Sequence, residues 1–111
     1  MSVVWAGTHV ATGREVALKL LKADAAKDEA TRRRMLREAR AASAVRHPNV
    51  VEIQEVLELE DGSPVLVMDL LRGESLRERL IRRAPLSVQE TATLLLPVIA
   101  AVGTAHAAGI V

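Results

Sequence analysis

The sequence predicts an α+β domain: a small antiparallel sheet with one helix against it, followed by a purely helical stretch. Three observations carry this expectation. Two short apolar runs, residues 3–10 and 15–21, flank the turn-forming tetrapeptide Ala11-Thr12-Gly13-Arg14, as in a β-hairpin. Residues 23–44 are rich in Ala, Arg, Glu and Lys and contain neither Gly nor Pro, as a strong helix requires. After Met68 strand-like alternation stops, and two Ser-x-x-Glu patterns, Ser75 to Glu78 and Ser87 to Glu90, announce helix starts.

Taken in order, the hairpin leads into the long helix, whose start is expected near Asp24 or Asp28. His47-Pro48-Asn49 stops it, because the residue before a proline avoids the helical region. Residues 50–60 alternate in part, with Val51, Ile53, Leu57 and Leu59 set against Glu52, Gln54, Glu58 and Glu60. Asp61-Gly62-Ser63-Pro64 is a turn, and Val65 to Met68 reads as a buried strand. The helix opened by Ser75 should stop near Ala84-Pro85. The helix opened by Ser87 should run from 88 to about 108 and is nearly all apolar. A helix apolar on every side belongs inside something larger.

At 111 residues the chain has room for one domain with one modest core. Half its residues are hydrophobic, which favours a folded protein over a disordered one. They are mostly Val, Leu and Ala, with Trp5 the one aromatic, so the core is light and marginal stability is expected. A net charge of +1 with the two signs interspersed gives no electrostatic case for nucleic acid or an anionic membrane as partner. Arg32-Arg33-Arg34 reads as a solvated helix face, and His9, His47 and His106 are too scattered for a metal site. Without cysteine there are neither disulfides nor thiolate metal sites. No secretory leader is visible, and the apolar run 94–102 is short of the ~20 residues that span a bilayer. A soluble, cytoplasmic segment is expected.

One pair of residues stands out from this frame. Lys19 ends the apolar strand Val16-Ala17-Leu18-Lys19, where a lysine stem can lie on apolar surface with its ammonium in water. Glu38 falls on the helical stripe Thr31, Met35, Glu38, Ala42, Val45, which places a carboxylate in an apolar row. A buried carboxylate that loses its partner costs roughly 3–5 kcal/mol. The sequence therefore predicts a Lys19–Glu38 ion pair between strand and helix.

These residues, with three further runs in the same order, resemble the protein kinase family, specifically the bacterial serine/threonine type. Val16-Ala17-Leu18-Lys19 is similar to the family's phosphate-binding strand, and Leu36-Arg37-Glu38-Ala39 to the helix carrying its glutamate partner. His47-Pro48-Asn49-Val50-Val51 resembles the loop after that helix. Leu66 to Leu76 is similar to the gatekeeper, hinge and start of the large lobe, and His106 to Val111 to the stretch before the catalytic loop. The resemblance implies a kinase small lobe followed by the first two helices of an incomplete helical large lobe. Its divisions would be a nucleotide-binding small lobe at 1–68, a hinge at 69–74 and the start of the large lobe at 75–111.

Carried over residue by residue, it implies that Val4 and Ala17 roof the adenine of ATP. Lys19 holds the α- and β-phosphates and Glu38 holds Lys19. Met68 is the gatekeeper, and the carbonyl of Asp69 and the N–H of Leu71 pair with the adenine edge. Ser75 touches the ribose, a role its capping box explains about as well. The implied reaction is phosphoryl transfer from Mg²⁺-ATP to a protein serine or threonine hydroxyl.

Departures bear on that reading. Met1-Ser2-Val3-Val4 aligns with the tail of the glycine-rich loop, with Ser2 where the third glycine usually sits. The catalytic aspartate, the metal-binding asparagine and the Asp-Phe-Gly aspartate have no counterpart, so the Mg²⁺ ligands are expected outside this chain. The chain alone is expected not to turn over, as from a truncated gene or expression segment missing the rest of the large lobe. The alternative is a non-catalytic interaction module that keeps the kinase scaffold and binds a partner through its exposed apolar helix.

Overall fold

The computed structural model describes residues 2–21 and 28–111. It contains β1 (Ser2–Thr8), β2 (Glu15–Leu21), α1 (Glu29–Ser43), β3 (Ile53–Glu58), β4 (Pro64–Asp69), α2 (Leu76–Arg83) and α3 (Val88–Ala107). The four strands form one antiparallel sheet in the order β1-β2-β4-β3. The expected hairpin is present, closed by His9 N–H to the Arg14 carbonyl at 2.8 Å. Gly13 turns that corner at φ 71°, a conformation that a residue without Cβ adopts freely.

α1 begins at Asp28, whose carboxylate accepts from Ala30 N–H at 3.1 Å and from the Thr31 hydroxyl at 2.6 Å. The part of the expected helix at 23–27 lies outside the described residues. α1 lies against β3 and β4. The buried residues are Val16 and Ala17 of β2, Val65, Leu66 and Val67 of β4, Leu36 and Ala39 of α1, and Val45 just beyond it, with Leu66 on the face that α1 covers. Burying a residue such as Leu36 is worth about 1.5–3 kcal/mol. Arg32 ties the first turns of α1 to the sheet. Its guanidinium pairs with Glu58 of β3 and with Glu29 at 2.7 Å, and its stem packs over Gly62.

The alternation expected for 50–60 is interrupted. Ile53 faces Met68 of β4, but Glu55 faces Val67, so Gln54 is an extra residue, a β-bulge. Beyond the bulge the faces exchange. Val56 then shares a face with Ile53, and Leu57 goes to the other face, 45% exposed.

The helical half begins as expected. Ser75 and Glu78 form a reciprocal capping box, with the Ser75 N–H donating to Glu78 at 2.6 Å and the Glu78 N–H to Ser75 Oγ at 3.1 Å. Ser87 caps α3 by accepting from Glu90 N–H at 3.1 Å. α3 runs through Pro97, and of its residues only Ala101 is buried. At 20 residues it is long and apolar enough to cross a bilayer by length and composition.

Candidate functional site

In an antiparallel sheet, directly paired residues lie on the same face, and so do residues two apart along a strand. The register therefore composes two neighbouring rows. Val4, Lys19, Leu66 and Val56 form one, and Ala6, Ala17, Met68 and Ile53 the other. Val4, Ala17, Lys19 and Met68, singled out from sequence, thus share one face of the sheet, with adjacent strands about 4.8 Å apart. Ala17 and Leu66 are buried, Lys19 and Met68 half-buried, and Val4 is 60% exposed. A half-buried lysine sits beside an open apolar patch. Chemically, that is a surface for a flat apolar group joined to an anion.

α1 lies over the same face. Arg32 reaches Glu58, which pairs with Pro64 two positions along from the Val56–Leu66 pair. The ion pair expected between Lys19 and Glu38 is not formed. Glu38 points outward, its side chain 63% exposed, and accepts from Arg34 Nε at 2.9 Å. The reason is a one-residue offset in the buried stripe. α1 docks through Leu36 and Ala39, with Arg32 and Ser43 half-buried to either side, and it touches β3 and β4 but not β2. Glu38 is one position before Ala39, about 100° around the helix from that seam. Met35 and Ala42 are flanks of the contact, not its centre. Two sequence signals pointed this way: Leu36 is a large aliphatic residue on the docked stripe, and Arg34 stands four residues before Glu38.

The segment after the sheet places the remaining residues. Asp69 is the last residue of β4, and Leu71 follows, 69% exposed. Arg72 is held to the sheet by Glu15 of β2. Ser75 is engaged in its capping box, which leaves its hydroxyl oxygen already accepting one N–H. Glu74 beside it is fixed by Arg82 at 2.5 Å and Arg79 at 2.7 Å, and these two arginines hold its carboxyl below the ordinary value. Sequence reading missed the polar contacts behind this segment. Gln54 Nε2 donates to Asp69 Oδ1 at 2.7 Å, and Arg46 pairs with Glu52 at 2.6 Å. No motif signals either one, because the bulge that brings Gln54 to Asp69 leaves no compositional mark.

The family description "protein kinase domain" matches residues 1–111. A probable serine/threonine-protein kinase of Corynebacterium efficiens is 40% identical over the whole chain, and the serine/threonine-protein kinase PrkC of Bacillus subtilis is 35% identical over 96% of it. The chain spans only 17% and 16% of the lengths of these two relatives. The crystal structure of the PknI kinase domain of Mycobacterium tuberculosis superposes on 98% of the chain with a TM-score of 0.82 at 30% identity, and the chain covers 44% of that domain.

Proposed function

Because the chain belongs to the protein kinase domain family, we propose that the sheet face bearing Lys19 is the nucleotide wall of a serine/threonine kinase. One observation carries this reading: two adjacent cross-sheet rows put the apolar Val4, Ala17 and Met68 and the cation Lys19 together. That pairing matches ATP, an apolar base joined to a polyanion. In this reading Val4 and Ala17 cover the adenine and Met68 is the gatekeeper. Asp69 and Leu71 offer a backbone carbonyl and N–H to the base edge, and Ser75 lies at the ribose. Lys19 holds the phosphates, and Glu38 becomes its partner when α1 turns inward. Residues 1–68 act as the small lobe, 69–74 as the hinge and 75–111 as the opening of the large lobe.

ATP brings the transferable phosphoryl group, and Mg²⁺ neutralises its charge. This chain's residues bind and orient. The sequence contains no His-Arg-Asp or Asp-Phe-Gly run, so these 111 residues bind the nucleotide without turning it over. Transfer to protein serine or threonine hydroxyls belongs to an intact kinase, working in the cytoplasm where its nucleotide is. α3, apolar enough for a bilayer, lies within the stretch that superposes on the PknI kinase domain. We read it as a large-lobe helix.

Titration of Mg²⁺-ATP into the chain and into its Lys19→Ala variant tests the proposal. The expected outcome is saturable binding weakened about tenfold or more by Lys19→Ala, the loss of a charge-assisted contact. Equal affinity in both proteins would overturn it. A second reading, a non-catalytic interaction module, draws support from the exposure of Leu96 (63%) and Ile99 (64%) on α3. It predicts a protein partner on α3 and no nucleotide on the sheet.

A further inference from the structure

The residues assigned to the base edge lie at the end of β4, and what holds them in place comes from β3. Asp69 follows Met68, so by strand alternation its side chain lies on the face opposite Met68 and Ala17, away from the nucleotide face. There its carboxylate accepts from Gln54 Nε2 at 2.7 Å in a part-buried contact. Its backbone N–H donates to the Glu52 carbonyl at 3.2 Å. Gln54 reaches this position because it is the bulge residue, the one member of β3 with no opposite number on β4. A bulge frees a side chain from the ladder and re-aims it.

We infer that Gln54 is a positioning residue for base recognition: it clamps Asp69 from behind and so fixes the backbone that meets the adenine. The inference rests on the nucleotide reading above. The surroundings make the clamp necessary. Asp69 borders a cavity of about 420 Å³ whose wall includes Arg46, His47 and Glu52. No close packing holds the Asp69 carboxylate on that side, and without Gln54 it is free to swing into the open space. Water would then solvate it, so the loss falls on orientation more than on stability. Glu52 is held in turn by Arg46, which steadies the chain at the start of β3, where both contacts to Asp69 originate.

The test separates base recognition from phosphate recognition. Wild-type chain and variants are titrated with Mg²⁺-ATP and with inorganic tripolyphosphate, and melting temperatures are recorded alongside. The ratio of the two affinities reports the base. Gln54→Ala is expected to lower that ratio about three- to tenfold, the range of one hydrogen bond, with tripolyphosphate affinity unchanged. Gln54→Glu sets a second carboxylate against Asp69 and lowers the ratio too. Combined with Asp69→Asn it restores a donor–acceptor pair and recovers the ratio. This double variant carries the test should Gln54→Ala fail to fold. A wild-type preference for ATP that survives Gln54→Ala, or a double variant that recovers nothing, overturns this inference alone. A wild type that does not prefer ATP to tripolyphosphate overturns the nucleotide reading and this inference together.

Discussion

The sheet half and the helical half of this chain are built from the same Val, Leu and Ala, yet they bury them differently. In the sheet half Val16, Val65, Leu66 and Val67 are all 9% exposed or less, packed among strand neighbours, with α1 over the face that carries Leu66. In α3, Leu96, Val98 and Ile99 are half or more exposed, and only Ala101 is buried. Hydrophobic pattern states that a face is to be covered; it does not state by what. For the Leu66 face of the sheet the cover is α1, close in sequence. For α3 there is none among the described residues, and the neighbouring α2 leaves an apolar cavity of about 350 Å³ between them, lined by Leu80, Leu94 and Leu95.

The largest expected effect tests this contrast directly. Leu66→Ala should destabilise the chain by about 2–4 kcal/mol, the cost of a cavity in a packed core. Ile99→Ala, an equally apolar truncation, should fall within about 0.5 kcal/mol, as exposed substitutions do. Urea titration followed by circular dichroism measures both, and equal losses would break the comparison. A hydrophobic dye sharpens it. The wild type should bind the dye, and Leu96→Asp with Ile99→Asp should abolish most of that binding without lowering the midpoint. Dye binding that persists would move the exposed surface elsewhere.

Much of this contrast was legible in the sequence. The hairpin, a helix start near Asp24 or Asp28 (Asp28 is the cap), the turn at 61–64 and both serine caps follow from local chemistry, which sequence displays directly. The grouping of Val4, Ala17, Lys19 and Met68 came from the family resemblance, and only the cross-strand register puts the four on one face. Two features were not legible, and both are matters of register. The bulge at Gln54 exchanges the faces of β3, and nothing in Glu52-Ile53-Gln54-Glu55 marks the extra residue. The docked seam of α1 is one residue away from the expected stripe, because both stripes are apolar enough to serve and only the shape of the sheet chooses between them.

Acid should act on both halves alike, which makes pH a control on the comparison. Asp28 is lowered by the Thr31 hydroxyl and the Ala30 N–H, and Glu29 by Arg32 and Arg33. In the helical half Glu74 is lowered by Arg82 and Arg79, and Glu78 by the N–H and hydroxyl of Ser75. Each folded pKa lies below the ordinary 3.8 or 4.5, so the folded state releases these protons more readily than the unfolded chain. Their stabilisation is present above the ordinary values and is lost as pH falls through the lowered ones. The urea midpoint should hold from pH 7 to 5 and decline below about pH 4.5. A midpoint that rose on acidification would contradict the sign.

The smallest expected effect bears on Glu38, whose expected ion pair with Lys19 is not formed. A Glu38 buried in an apolar stripe and paired with Lys19 would make Lys19→Ala cost roughly 3–5 kcal/mol, because the carboxylate would be left without a partner. In the structure Glu38 is exposed and held by Arg34 four residues earlier, an ion pair worth about 0.3–0.5 kcal/mol. Its orientation, with the cation N-terminal to the carboxylate, is the weaker of the two. Lys19→Ala and Arg34→Ala should therefore each shift stability by no more than about 0.5 kcal/mol in the nucleotide-free chain. A contact so weak also leaves Glu38 easy to recruit. With Mg²⁺-ATP bound, the phosphates fix Lys19, and Glu38→Gln should then weaken nucleotide binding while leaving the free chain's stability unchanged. A loss above 3 kcal/mol for Lys19→Ala without nucleotide would instead restore the buried pair.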